Sequence, residues 1–239
     1  MSVAGMDRCF SVNLGRRKVG ERITLESGES RHLALVRRHR VGDEVLVIDG
    51  QGGVATSRIV ELHKKHGVVV EILDLTIHED QTRHVHIACA VPKGDRMQTL
   101  LDMATQLGVA EFSPVEFERS QPEARKDRGE RWNKVVVEAL KQSRRLHQPV
   151  VNPLRKLDDW LLSLQDTEGE RLVADAEGSR LSAMDINANI PVVILIGPEG
   201  GLTDHELHSA RTSGFTALKL SEHILRVETA VVAASGLFL

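Results

Sequence analysis

Ile190-Pro191-Val192-Val193-Ile194-Leu195-Ile196-Gly197-Pro198-Glu199-Gly200-Gly201 is the stretch that decides what kind of sheet this chain builds. From Ile190 to Ile196 every residue is apolar, and Val and Ile dominate. Bounded by turn residues, such a run predicts a strand buried on both faces. Buried parallel strands present their chemistry at their carboxyl ends, where loops emerge. Here three glycines and a proline follow at once. Glycine allows positive φ and close approach of a ligand to the main chain, so the loop is a candidate cradle. An ordinary strand-to-helix turn accounts for the glycines equally well when they are taken alone. Thr203 stands three residues before Glu206, a capping-box spacing, so a helix is expected from about Asp204. Gly214 is a suitable residue to end it. No Gly-Lys-Ser/Thr follows, which excludes a P-loop, and the spacing is not the G-x-G-x-x-G dinucleotide fingerprint.

Downstream, Thr216 to Leu220 reads as a short strand, left through Ser221-Glu222-His223. A final helix is expected over Val227 to Leu239. Val231, Val232, Ala233, Ala234, Leu237 and Phe238 make it apolar nearly all round, which implies burial in a core or against a partner. Arg226 and Glu228 stand at its start. Either they form a partly buried ion pair or they carry chemistry.

Gly197-Pro198-Glu199-Gly200-Gly201-Leu202 taken with Ile224-Leu225-Arg226-Val227-Glu228-Thr229-Ala230 resembles the RsmE family of SPOUT methyltransferases. The two motifs together are specific, and the resemblance extends over essentially the whole chain. It implies an α/β fold: a trefoil-knotted parallel-sheet domain of SPOUT type, preceded by a small PUA-like β-barrel domain. It implies transfer of a methyl group from S-adenosyl-L-methionine to N3 of a specific uridine in 16S ribosomal RNA within the small subunit. A SPOUT enzyme acting on another RNA, such as tRNA, is the alternative. The residues expected to hold the cofactor are Ile196, Gly197, Pro198, Glu199, Gly200, Gly201, Leu220, Ser221, Ile224 and Leu225. Arg226 is expected to stabilise the uracil anion, and Glu228 to orient Arg226 or accept the proton. A homodimer is implied as well.

Composition bounds this reading. The chain has 239 residues, enough for one large domain or two modest ones. No run approaches the length a membrane helix needs, and Met1 to Cys9 lacks the apolar centre of a signal peptide. Cys9 and Cys89 have no metal or redox spacing, which suits a reducing cytoplasm. A net charge of −3 argues against a generic polyanion binder. Between Arg119 and Arg145, however, nine basic residues stand against four acidic ones. So concentrated a charge suits one specific RNA contact.

Residues 1–75 read as short strands separated by glycine turns: Glu21 to Leu25, Glu44 to Ile48, Val54 to Leu62 and Val68 to Leu75. That pattern predicts a small barrel or sandwich. Ser30 to Arg40 is expected to be one short helix with Leu33, Leu35 and Val36 inward. In the resemblance this region is the RNA-binding barrel, and Arg31 and Arg38 are candidate phosphate contacts. Residues 76–239 form the second domain, entered through the polar link Ile77 to Arg83. Val85 to Val91 is a strand, Met97 to Leu107 carries a helical stripe stopped by Gly108, and Val109 to Val115 is a further strand. Strand–helix–strand order predicts a parallel sheet.

Lys93 and Arg96, after the first of these strands, match the family's first motif and are candidate RNA contacts. Met103 and Gln106 depart from it, where the family has Lys and Glu. Arg119, Gln142 and Arg145 are also assigned to RNA, the last two on a helix expected over Arg131 to Leu146. Lys141 replaces an acidic family residue there. The loop Gln121 to Glu130 joins them. Leu157 to Leu164 predicts a short helix. Arg171 to Asp175 predicts a strand whose following loop, Ala176-Glu177-Gly178, walls the cofactor site. His63 with His66, and His84 with His86, lack the further ligands a metal needs, so no metal is expected.

Overall fold

A computed structural model describes residues 5–63, 67–120, 129–184, 186–187 and 190–239. Lys64 to His66 of the basic turn, and 121–128 of the loop before the third α-helix, lie outside the described residues. The chain divides into two compact units, residues 1–81 with 140–148, and residues 82–139 with 149–239.

The first unit is built on five strands: β1 (Arg8–Phe10), β2 (Arg22–Thr24), β3 (Glu44–Ile48), β4 (Gly53–His63) and β5 (Gly67–Ile77). They lie in the order β1-β3-β4-β5-β2. β3, β4, β5 and β2 pair antiparallel, and β1 joins β3 in parallel. Period-2 alternation turns Val45, Val47, Ala55, Ile59, Val70 and Ile72 inward, around Leu14 and Leu33. The β3–β4 turn is organised by the buried Asp49 carboxylate. It accepts from the backbone N–H of Gln51 and of Gly53, both at 2.8 Å, and from that of Leu14 at 3.1 Å. At Gly52 (φ +89°) a Cβ would lie 2.0 Å from the carbonyl oxygen of His78, so only glycine fits.

The helix expected over Ser30 to Arg40 is replaced by α1 (Ser27–Arg31) and a π-helical turn, His32–Val36. The Arg37 N–H donates to the His32 carbonyl, five residues back. That wider turn carries Val36 away from the side Leu33 buries. Leu33 is buried as expected, but Leu35 and Val36 are 66% and 65% exposed. Arg38, at φ +58°, ends the segment.

The second unit carries β6 (Val85–Ala90), β7 (Glu111–Glu116), β8 (Val150–Val151), β9 (Arg155–Lys156), β10 (Glu170–Ser179), β11 (Val192–Ile196) and β12 (Thr216–Leu218). The sheet runs β12-β10-β11-β6-β7-β8, with β9 also on β7, and every pairing is parallel. β11 is central, and all five of its residues are buried.

Helices cover both faces. Val192, Ile194, Ile196, Val85, Ile87 and Cys89 face α2 (Arg96–Leu107), α3 (Gly129–Ser143) and α6 (Val227–Phe238), which supply Leu100, Leu101, Trp132, Val136, Val231 and Ala234. The alternate residues Val193, Leu195, Ala88 and Ala90 face α4 (Leu157–Leu162) and α5 (Asp204–Thr212), through Trp160, Leu161 and Ala210.

Several boundaries differ from expectation: β12 ends at Leu218, short of Leu220, and α4 at Leu162, short of Leu164. α3 ends at Ser143, before Leu146, because Arg144 adopts the left-handed region (φ +64°). Ala176-Glu177-Gly178 is not a loop: β10 continues to Ser179, with a register shift against β12 between Ala174 and Ser179.

Candidate active site

The carboxyl ends of β10, β11 and β12 open onto a cleft of about 720 Å³. Three segments line it: Ala174–Glu177 from β10, Ile196–Leu202 after β11, and Lys219–Leu225 after β12, with Leu207, Arg211 and Ala230 behind them. All ten residues singled out in the sequence for the cofactor lie on this lining. The glycine loop is a turn, its Gly201 N–H donating to the Pro198 carbonyl at 2.8 Å, with Gly201 at φ +71°. A Cβ on Gly197 would meet Leu202 Cδ1 at 2.7 Å, so a side chain there would displace the residue that backs the loop. The loop then enters α5 through a full capping box, in which Thr203 Oγ1 accepts from the Glu206 N–H and the Glu206 carboxylate accepts from the Thr203 N–H.

Arg226 is the N-cap residue of α6 and its side chain is exposed. No ion pair holds its guanidinium among the described residues. Glu228 makes its ion-pair contact with Arg96. Glu228 Oε1 lies 3.9 Å from Arg96 Nη1, and its buried Oε2 has no hydrogen-bond partner among the described residues. Arg96 also reaches Glu199 of the glycine loop at 3.2 Å. It is the first residue of α2, where the helix dipole disfavours a cation, and the two carboxylates offset that. Burial, then Glu199 and Glu228, push the Cys89 thiol pKa up, so it stays protonated and is no nucleophile.

The residues assigned to RNA are dispersed. Arg31 and Arg38 are exposed in the first unit, and Gln142 and Arg145 also belong to that unit, not to the unit of the cleft. Burial pushes the Arg145 guanidinium pKa down, against the opposing pull of Asp80. Lys93 is exposed in the second unit. Arg119 turns onto the glycine loop, donating through Nη1 to the carbonyls of Gly200 at 2.7 Å and Leu202 at 3.4 Å. The sequence reading missed that contact, along with Asp49 and the Glu206 link to Glu118. The Arg119 contact, the Glu206 link and the Asp49 bond to Leu14 join residues far apart in the chain, and no local pattern announces them; the Asp49 bonds to Gln51 and Gly53 lie within one turn. Among the described residues no three metal-ligating side chains gather, and no helix is long and apolar enough to cross a membrane.

Residues 78–239 match the family described as RNA methyltransferase domain, the class that this parallel sheet and its carboxyl-end cleft define. Residues 25–73 match an RNA methyltransferase PUA domain. The Ribosomal RNA small subunit methyltransferase E of Bacillus subtilis is 30% identical over 244 residues, covering 96% of this chain and 94% of that protein. A crystal structure of the Neisseria gonorrhoeae protein of the same name, bound to S-adenosyl methionine, is 31% identical with a TM-score of 0.87, covering 97% of this chain and 96% of that one. A putative methyltransferase from Legionella pneumophila, in complex with the same cofactor, has a TM-score of 0.86 at 26% identity, covering 98% and 96%. The chain belongs to the RsmE family of small-subunit ribosomal RNA methyltransferases, of SPOUT type.

Proposed function

We propose that this chain methylates N3 of one uridine in 16S ribosomal RNA, using S-adenosyl-L-methionine. The observation that carries the proposal is the meeting of Gly197–Gly201, Leu220–Leu225 and the start of α6 at one cleft. The cleft fits the cofactor: its volume is in the range of small-ligand sites, roughly 300–1,000 Å³. Its lining combines glycines and apolar side chains with charged groups, among them Asp175, Glu177, Glu199 and Glu222, and the backbone N–H and C=O groups of 197–201 and 220–225 would hold the ligand. Bound there, the cofactor supplies an electrophilic methyl group on a sulfonium.

The chain's own residues supply the rest. Uracil N3 is a poor nucleophile until it loses its proton. The Arg226 guanidinium, unpaired among the described residues and next in sequence to the cleft-lining Leu225, stabilises negative charge developing on the uracil oxygens, as an oxyanion hole does. Glu228 accepts the N3 proton. N3 lies on the Watson–Crick edge, so the target base is unpaired or flipped out. Arg31, Arg38, Lys93, Gln142 and Arg145 contact the RNA, with residues 1–75 as the PUA-like RNA-binding domain and 76–239 as the catalytic domain. The segment from Ile196 to Leu225 forms the trefoil knot. Two copies pair through α6, whose Leu237 is 44% exposed beside Leu239 at 45%. The enzyme works in the cytoplasm on the small ribosomal subunit.

The test is methyl transfer from labelled S-adenosylmethionine to small subunits lacking the modification, followed by nucleoside analysis. N3-methyluridine in 16S RNA is expected. Label in tRNA and none in 16S RNA would overturn the substrate, and label in neither would overturn the activity.

A further inference from the structure

Arg119 sits in a tight turn after β7, closed by two reciprocal hydrogen bonds. The Phe117 N–H donates to Ser120 Oγ at 2.9 Å, and the Ser120 N–H donates to the Phe117 carbonyl at 3.0 Å. The next contact ties this turn to α5: the Glu118 N–H donates to Glu206 Oε1 at 2.8 Å. Glu206 is a buried carboxylate whose other oxygen serves the Thr203 cap. The turn is therefore fixed against the far end of the glycine loop before Arg119 makes any contact of its own.

From that position the Arg119 stem lies over Gly200. A Cβ at Gly200 would be 3.4 Å from Arg119 Cδ and 3.5 Å from its Cβ. The guanidinium then donates to the Gly200 and Leu202 carbonyls. These two carbonyls flank Gly201, whose φ of +71° is a backbone conformation that glycine adopts without steric cost. A guanidinium presents several N–H donors in a fixed plane and can hold two acceptors at once, which an ammonium on a flexible stem does poorly.

We infer that Arg119 is a positioning residue for the cofactor, a strut from the β7 turn that holds the glycine loop in its binding shape, and not an RNA-phosphate contact. The inference rests on the reading of this cleft as the S-adenosylmethionine site. It makes Glu206 a shared anchor: one carboxylate caps α5 and fixes the strut. Neither residue touches reacting atoms.

The two roles for Arg119 leave opposite signatures. A phosphate contact, when removed, weakens RNA binding at all sequences and lowers the slope of log affinity against log salt by about one. A strut, when removed, weakens cofactor binding and leaves that slope alone. The experiment compares the full-length chain with Arg119→Ala and Arg119→Lys, by calorimetry with S-adenosylmethionine and by salt-dependent binding of a small-subunit RNA fragment. Arg119 is exposed, so an unchanged melting temperature is expected to report intact folding. Arg119→Ala is expected to weaken cofactor binding about tenfold, a loss of about 1.4 kcal/mol. Arg119→Lys is expected to recover only part of that, and the RNA salt slope to stay at the wild-type value. Wild-type cofactor affinity in Arg119→Ala, or a lowered salt slope, overturns the strut. Failure of the wild-type chain itself to bind S-adenosylmethionine overturns the cleft assignment instead.

Discussion

Gly178→Ala is a severe test of how the cleft is built. Gly178 lies in the part of β10 where the pairing with β12 slips, and β12 leads directly into the cleft-lining segment Lys219–Leu225. A Cβ there would stand 2.7 Å from both the carbonyl carbon and oxygen of Ala217, and 2.8 Å from the carbonyl carbon of Leu218. Those atoms are main chain and cannot rotate aside. Carbon–carbon contact is comfortable only from about 3.5 Å, so β12 has to retreat by roughly 0.8 Å. Overpacking of that kind costs about 1–3 kcal/mol. For a domain of this size each kcal/mol moves the melting temperature by about 2–4 °C, so a drop of roughly 4–8 °C is expected at the middle of the range. Cofactor affinity should fall with it, because the displaced strand carries one wall of the cleft. Gly28→Ala is the control. In α1 a Cβ meets nothing within 4 Å and φ is ordinary, so a small gain, under about 1 kcal/mol, is expected. Scanning fluorimetry and calorimetry on both variants read the outcome. A Gly178→Ala protein that melts and binds S-adenosylmethionine like wild type would refute the close approach of β10 to β12.

Further outcomes follow from other parts of the molecule. Arg226→Ala is expected to lower the methyl-transfer rate by about 10²–10³ with cofactor affinity and melting temperature retained, since its guanidinium has no ion-pair partner among the described residues; an unchanged rate would remove its catalytic role. His86 is buried, bonded to Ser113 Oγ at 2.8 Å and edge-on to Trp160. Burial lowers its pKa to about 4, with Glu111 opposing and His84 adding to the shift. Its neutral form therefore stabilises the fold fully above the unfolded-state value, and this is lost as pH falls from about 6.5 towards 4, by at most roughly 3 kcal/mol. Urea midpoints should fall between pH 7 and 4.5 for wild type, and fall less in His86→Gln. Asp49→Ala strands three backbone N–H groups, two of them in the β3–β4 turn, and is expected to cost the first unit about 3 kcal/mol; hydrogen exchange should show the Gln51 and Gly53 amides losing protection.

What the sequence disclosed was local. The run of β-branched residues before Gly197 was enough to find β11, because a central parallel strand has no polar face to hide. Thr203 with Glu206 announced the start of α5, since capping is an interaction within one turn. The ten lining residues were legible because they sit in two contiguous motifs. Leu35 and Val36 were misjudged because apolar spacing was read with an α-helical period, and the π turn has another. Ala176 to Gly178 looked like a loop on composition alone, yet pairing with β12 keeps it in the strand. The contacts of Arg96 and Arg119 were beyond reach for a different reason. A basic residue after a strand reads the same whether it meets a phosphate, a carboxylate or a carbonyl, and the choice is made by segments about a hundred residues away.

The large sheet ends, on one side, in a strand of two residues, Val150–Val151, and on the other in one of three, Thr216–Leu218. An outermost strand exposes a row of amide groups onto which a foreign chain can hydrogen-bond, and shortness is one of the ways natural proteins blunt that hazard. A neighbouring molecule finds almost no backbone here to extend. Edges this short disfavour continuing this sheet from one copy to the next.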